Sequence, residues 1–192
     1  MTSAGSVYEF VYRGHLADQA LDKAGRHGRA LGLLEADIAE KTSLALLDDR
    51  FVEQAKLMAT VYTTIAAFEN MVRDLVRRTL AEEKGVGWWE DCVSSNVRTK
   101  AKKRQDDEAK HRFHTQRGDD PIDFIDFGDL LNVIRANEEV FEPFIPSPEW
   151  ARGIFDAVER SRNVIMHSGV LDPEDIDRVG VNIRDWVRQV GA

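Results

Sequence analysis

Between residues 50 and 82 apolar side chains recur at helical spacing. Phe51, Ala55, Met58, Tyr62, Ile65, Val72 and Val76 follow alternating steps of four and three, which predicts one long helix with a single apolar stripe. The stripe skips one position, and Glu69 stands there. A carboxylate on a core-facing stripe needs an opposite charge or several donors. Nearer the C-terminus, Ala151, Phe155, Val158, Arg162 and Ile165 share a second stripe, in a helix expected to start near residue 148. Pro148 and Glu149 open that helix and Gly169 follows its end, the usual asymmetry of helix termini. Arg162 is therefore expected to face inward. An arginine–glutamate pair, Arg162 with Glu69, would satisfy both buried charges.

The remaining segments read as helices and connections. WWEDC after Gly85 and Gly87 marks a turn into the basic helix SSNVRTKAKKRQDDEAK, and HTQRGDDP breaks it. A shorter helix is expected from about Phe127, and a last one behind Asp172-Pro173, an N-cap followed by proline at the first helical position. No alternating pattern of useful length predicts a strand. The expected fold is all-α: a helical bundle over residues 49–192, with residues 1–48 as an N-terminal helical extension.

Composition narrows the class. Of 192 residues, 43% are hydrophobic and 31% charged, which suits one soluble domain with a continuous core. The apolar runs are too short and too interrupted by charge to span a bilayer, and the first residues lack the pattern of a secretory signal. With Cys92 as its single cysteine the chain has no internal disulfide and no cysteine-based zinc cluster; Cys92 reads as a small buried apolar residue. These features point to the cytoplasm and to no membrane partner.

The net charge of −8 argues against a general nucleic-acid coat, but it is unevenly spread. Residues 94–117 carry a local balance of +5, while residues 119–149 hold nine acids against Arg135 alone. A basic strip on an acidic body can attract a phosphate backbone, and Lys100, Lys102, Lys103 and Arg104 are its candidate contacts. A solvated helix face accounts for such a strip equally well.

Arg162, Asn163 and His167 stand together near the end of the penultimate helix. Asn163 and His167, four apart, share a face; Arg162 lies roughly 100° from the first and roughly 140° from the second. The long arginine stem, or a loosened last turn before Gly169, would be needed to bring Arg162 and His167 to one point.

Arg162-Asn163-Val164-Ile165-Met166-His167 resembles the R-x4-H signature, in its RN-x3-H form, of the HEPN superfamily (higher eukaryotes and prokaryotes nucleotide-binding domains). The setting is similar as well: one further helix behind, and an acid-bearing FENMVRDLV helix upstream. The tryptophan turn, the basic helix, the DFGDLL stretch and the closing helix resemble the HEPN type that ends a eukaryotic nuclear transcript-surveillance endonuclease and also occurs in bacterial proteins. The likeness covers roughly residues 50–190.

The resemblance implies a metal-independent endoribonuclease of the kind found in toxin–antitoxin, phage-defence and RNA-processing systems. It implies attack of the ribose 2′-OH on the adjacent phosphorus, with His167 as proton donor or acceptor, Arg162 facing the phosphorane oxygens and Asn163 orienting the histidine or the phosphate by hydrogen bonding. Glu69 would hold Arg162. A homodimer with a composite cleft, RNA as substrate and an antitoxin or regulatory protein as possible partner are further implications; no cofactor or metal is implied. Two other readings stay open: a catalytically silent HEPN module binding RNA, nucleotide or protein, and a plain helical interaction domain braced by Arg162 and Glu69.

Other signals are weaker. His111 and His114 have metal-ligand spacing but no evident third ligand, and helix capping accounts for the acids of DDPIDFIDFGD more cheaply than magnesium does. Trp88 and Trp89 read as core or dimer contacts before base-stacking platforms.

Overall fold

The computed structural model describes residues 35–191 except 112 and 146, together with residues 13, 14, 16, 17, 20 and 21, which are helical. The rest of the expected N-terminal helical extension lies outside the described residues. The chain divides into two compact units, residues 1–52 and 53–192.

Every regular element among the described residues is helical. In order they are α1 (Glu35–Lys41), α2 (Asp49–Lys84), α3 (Trp88–Cys92), α4 (Ser95–Ala109), α5 (Phe127–Ala136), α6 (Glu138–Phe141), α7 (Pro148–Met166) and α8 (Pro173–Val190). A 3-10 turn, Pro121–Phe124, joins α4 to α5. The starts follow local chemistry. Ser94, Ser147 and Asp172 each accept a backbone N–H from the first turn of the helix they precede, and Pro148 and Pro173 stand at the first helical position of α7 and α8. Asp120 and Asp123 form a reciprocal capping box around the 3-10 turn.

The core is centred on aromatic rings from four helices. Phe127 stacks on Phe155 with centroids 4.1 Å apart, while Phe68 meets Phe127 and Trp186 edge-on at 5.8 Å. Phe155 also contacts Trp186, which stacks on Trp150. This cluster ties α2, α5, α7 and α8 together, with Phe68 next to Glu69 on α2 and Phe155 two turns before Arg162 on α7.

The seam of α2 differs in phase from the expected stripe. Met58, Val61, Ile65, Phe68, Val72, Val76 and Leu80 are buried, whereas Phe51, Ala55 and Tyr62 are exposed. Phe68 takes the core position beside Glu69, and Val61 the one beside Tyr62, since the more apolar neighbour gains more by burial in each case. Glu69 is thereby moved to the edge of the seam. The same holds on α7: Ala151, Ile154, Phe155, Val158 and Ser161 are buried, and Arg162 is half-buried beside them.

Candidate active site

The carboxylate of Glu69 stands between two guanidinium groups. Its Oε2 lies 3.4 Å from Arg162 Nε on α7, and its Oε1 lies 3.4 Å from Arg73 Nη2 one turn further along α2. The expected Arg162–Glu69 pair is thus present, but at the rim of the core. The Glu69 side chain is 15% exposed and that of Arg162 36%. Arg73, at 12%, is the more deeply set cation. It donates from Nε to the Ile122 carbonyl at 3.1 Å, from Nη1 to Asn70 Oδ1 at 3.0 Å and from Nη2 to the Ile125 carbonyl at 3.4 Å.

Arg73 is the residue that sequence reasoning missed. Its signal was present: a glutamate four residues N-terminal to an arginine on one helix is a favourable pair. With Arg73 included, the trio carries one negative and two positive charges. Glu69 is therefore shared, and no other hydrogen bond or ion pair engages Arg162 among the described residues.

Asn163 and His167 lie on the adjoining exposed face of α7. Among the described residues no side chain bonds to the Asn163 carboxamide or the His167 ring. Within one protomer Arg162 meets Glu69, while Asn163 and His167 stay outside that contact. His167 is the C-cap residue of α7, with φ −98° and ψ 23°, so the helical register ends at it. A Schellman motif closes the helix: Gly169 N–H donates to the Val164 carbonyl at 2.8 Å and Ser168 N–H to that of Ile165 at 2.9 Å. The left-handed position is taken by Ser168, at φ 61°, and not by the glycine. Gly169 is required for another reason. A Cβ there would lie 2.6 Å from Val164 Cγ1 and 2.8 Å from the Val164 carbonyl oxygen. Just beyond, Leu171 N lies 3.3 Å from Met58 Sδ, which fastens the end of this turn to α2.

The four basic candidates separate into two pairs. Lys100 reaches buried Asp129 at 3.4 Å, and Arg104 donates to the Phe124 carbonyl at 2.7 Å and pairs with Asp126. Both hold the 121–129 segment against α4. Lys102 and Lys103 point to solvent, the former paired with Asp106 on its own helix. The acids of DDPIDFIDFGD are largely accounted for in the same way, because Arg77 on α2 also reaches Asp120 and Asp123.

His111 and His114 line a pocket with Glu108, whose carboxylate Arg117 holds at 2.6 Å. Among the described residues no three His, Cys, Asp or Glu are grouped to hold a metal ion. Trp88 is buried and packs edge-on against Trp89. Among the described residues no helix is long and apolar enough to cross a membrane.

No protein-family model, curated protein or solved structure matches the chain.

Proposed function

We propose that the chain is a metal-independent endoribonuclease of HEPN type that works as a homodimer on RNA. The observation that carries this reading is the Arg73–Glu69–Arg162 arrangement at the root of an exposed Asn163 and His167. A carboxylate bound to Arg162 alone would cancel the charge that a phosphate needs. Sharing it with Arg73 fixes the Arg162 stem and leaves the group with a net positive charge, suited to a phosphorane that gains negative charge.

In this reading His167 acts as the proton-transfer group. The 2′-oxygen loses its proton and attacks phosphorus, the bond from phosphorus to the 5′-oxygen breaks, and that oxygen takes up a proton. The products are a 2′,3′-cyclic phosphate and a 5′-hydroxyl. Asn163, one helical turn before His167, orients the ring or the phosphate. A second protomer would bring its own copy of the motif to the cleft, which accords with a face that is open in the single chain. A toxin or phage-defence role, with an antitoxin or other regulator covering the cleft, is the setting that the resemblance suggests.

One observation favours the silent-module reading instead: nothing among the described residues of one protomer fixes which His167 ring nitrogen holds the proton. Both readings meet the same test. The wild-type protein is incubated in EDTA with mixed cellular RNA, and with DNA as control, and the new ends are analysed. Cleavage of RNA alone, leaving cyclic phosphate and 5′-hydroxyl ends, is expected. Intact RNA, or cleavage of both polymers, would reject the reaction.

A further inference from the structure

One face of α4 forms an open groove of about 600 Å³ lined by Arg98, Thr99, Lys102, Lys103 and Lys110, with Asp106 and Asp107. It keeps half of the surface that the basic run suggested: Lys102 and Lys103 line it, while Lys100 and Arg104 are engaged in ion pairs with Asp129 and Asp126. Four cations against two carboxylates leave the groove net positive. Lys102 is held by Asp106 at 2.9 Å and Lys110 by Asp107 at 2.6 Å. Arg98 and Lys103 form no ion pair among the described residues, and the half-buried Arg98 has its Nε shielded from solvent with no hydrogen-bond partner.

We infer that this groove binds the phosphodiester backbone of single-stranded RNA, with Arg98 and Lys103 as its contacts and Lys102 and Lys110 at its edges. The inference rests on the RNA-directed reading above and deepens it by placing the substrate's backbone on a named face. From Arg98 to Lys110 the helix rises about 18 Å, room for several successive phosphates. The groove lining holds no aromatic ring, so bases have no stacking platform and binding there is independent of sequence. Asp106 and Asp107, already held by Lys102 and Lys110, disfavour the unbroken run of negative charge that an acidic protein would present. A mobile strand can instead place its phosphates at Arg98 and Lys103 alone.

The test uses the full chain and a fluorescent 2′-O-methyl RNA oligonucleotide of mixed sequence, which binds but offers no 2′-hydroxyl for attack. Anisotropy titrations over a salt series give the slope of log K against log salt. Each neutralised phosphate on a single strand contributes about −0.7, so Arg98→Gln with Lys103→Gln should shrink the slope by about 1.4. Lys100→Gln with Arg104→Gln should lower Tm and leave the slope unchanged. An unchanged slope in the first double variant, or a reduced one only in the second, overturns the assignment. Inorganic phosphate separates a strand from a lone anion: strong competition at millimolar phosphate would make this a free-phosphate site and overturn the backbone assignment. Polyglutamate bound in place of the oligonucleotide would overturn it in favour of an acidic protein. The catalytic reading fails separately: a wild-type protein that leaves cellular RNA intact while the slopes behave as stated keeps the groove and loses the reaction.

Discussion

At Glu69 one carboxylate serves two guanidinium groups, and that sharing decides what its loss should do. Removing it leaves Arg73 and Arg162 close together, without their common counter-ion, at the rim of the core. The effect should fall between an exposed pair, about 0–1 kcal/mol, and a buried one, about 3–5 kcal/mol. Glu69→Ala is expected to cost about 1–3 kcal/mol by denaturant titration, against less than about 0.5 for Glu82→Ala on the exposed side of the same helix. Equal values would remove Glu69 from the account. Cys92 gives a second test at this scale. Burial pushes its thiol up from the ordinary value, with Lys84 opposing. The neutral form is favoured, so the stability it lends is present below the unfolded thiol's ordinary value and is lost as pH rises through the higher folded one. Alkylation of the native protein at mildly alkaline pH should be slow and become fast in denaturant; equal rates would place the thiol at the surface. The Arg162–Glu69 pair was legible in the sequence because two charges broke two apolar stripes. Arg73 carried only the local signal of a glutamate four residues before it; its hold on the Ile122 and Ile125 carbonyls exists only once the fold brings them near.

Helix existence was legible, and so were the starts of α7 and α8, since Ser147-Pro148 and Asp172-Pro173 act within one turn. Seam phase was less so. Steps of four and three fit two neighbouring stripes of α2 that share Met58, Ile65, Val72 and Val76, and the packing of Phe68 on Phe127 and Trp186 selects one of them. The end of α7 departs from expectation in a way that stability can measure. Ser168 adopts the left-handed conformation at φ 61°, which costs an L-residue about 1–2 kcal/mol. Ser168→Gly should therefore raise Tm, with a net gain of about 0.5–1 kcal/mol after the glycine's greater unfolded freedom is counted. Gly169→Ala should do the reverse, driving a methyl group into Val164. If both substitutions shifted Tm in the same direction, the Schellman geometry ahead of the candidate site would be wrong.

Across the whole molecule, the split between a basic run and an acidic run first suggests a surface for nucleic acid. Much of it is internal bookkeeping of the fold: Lys100, Arg104 and Arg77 meet Asp129, Asp126, Asp120 and Asp123, drawing α4 and α2 onto the 120–129 segment. Charge counts along a chain cannot separate ion pairs between segments from a docking face, and two of the four expected RNA contacts, Lys100 and Arg104, are engaged in such pairs. In the proposed reaction the exposed Asn163 and His167 of one protomer supply half of a composite cleft. The reading therefore requires two copies. Light scattering at assay concentrations should give a dimer, and a monomer with full activity would refute the composite cleft. The central claim is that His167 carries the proton transfer, and it is tested most directly by comparing single-turnover RNA cleavage in EDTA by wild type and His167→Ala. His167 is exposed and caps α7 through its backbone, so the variant should keep its fold and Tm. Its rate should fall by about 10²–10⁴-fold, the usual loss on removing a general acid or base; a rate equal to wild type would contradict the mechanism.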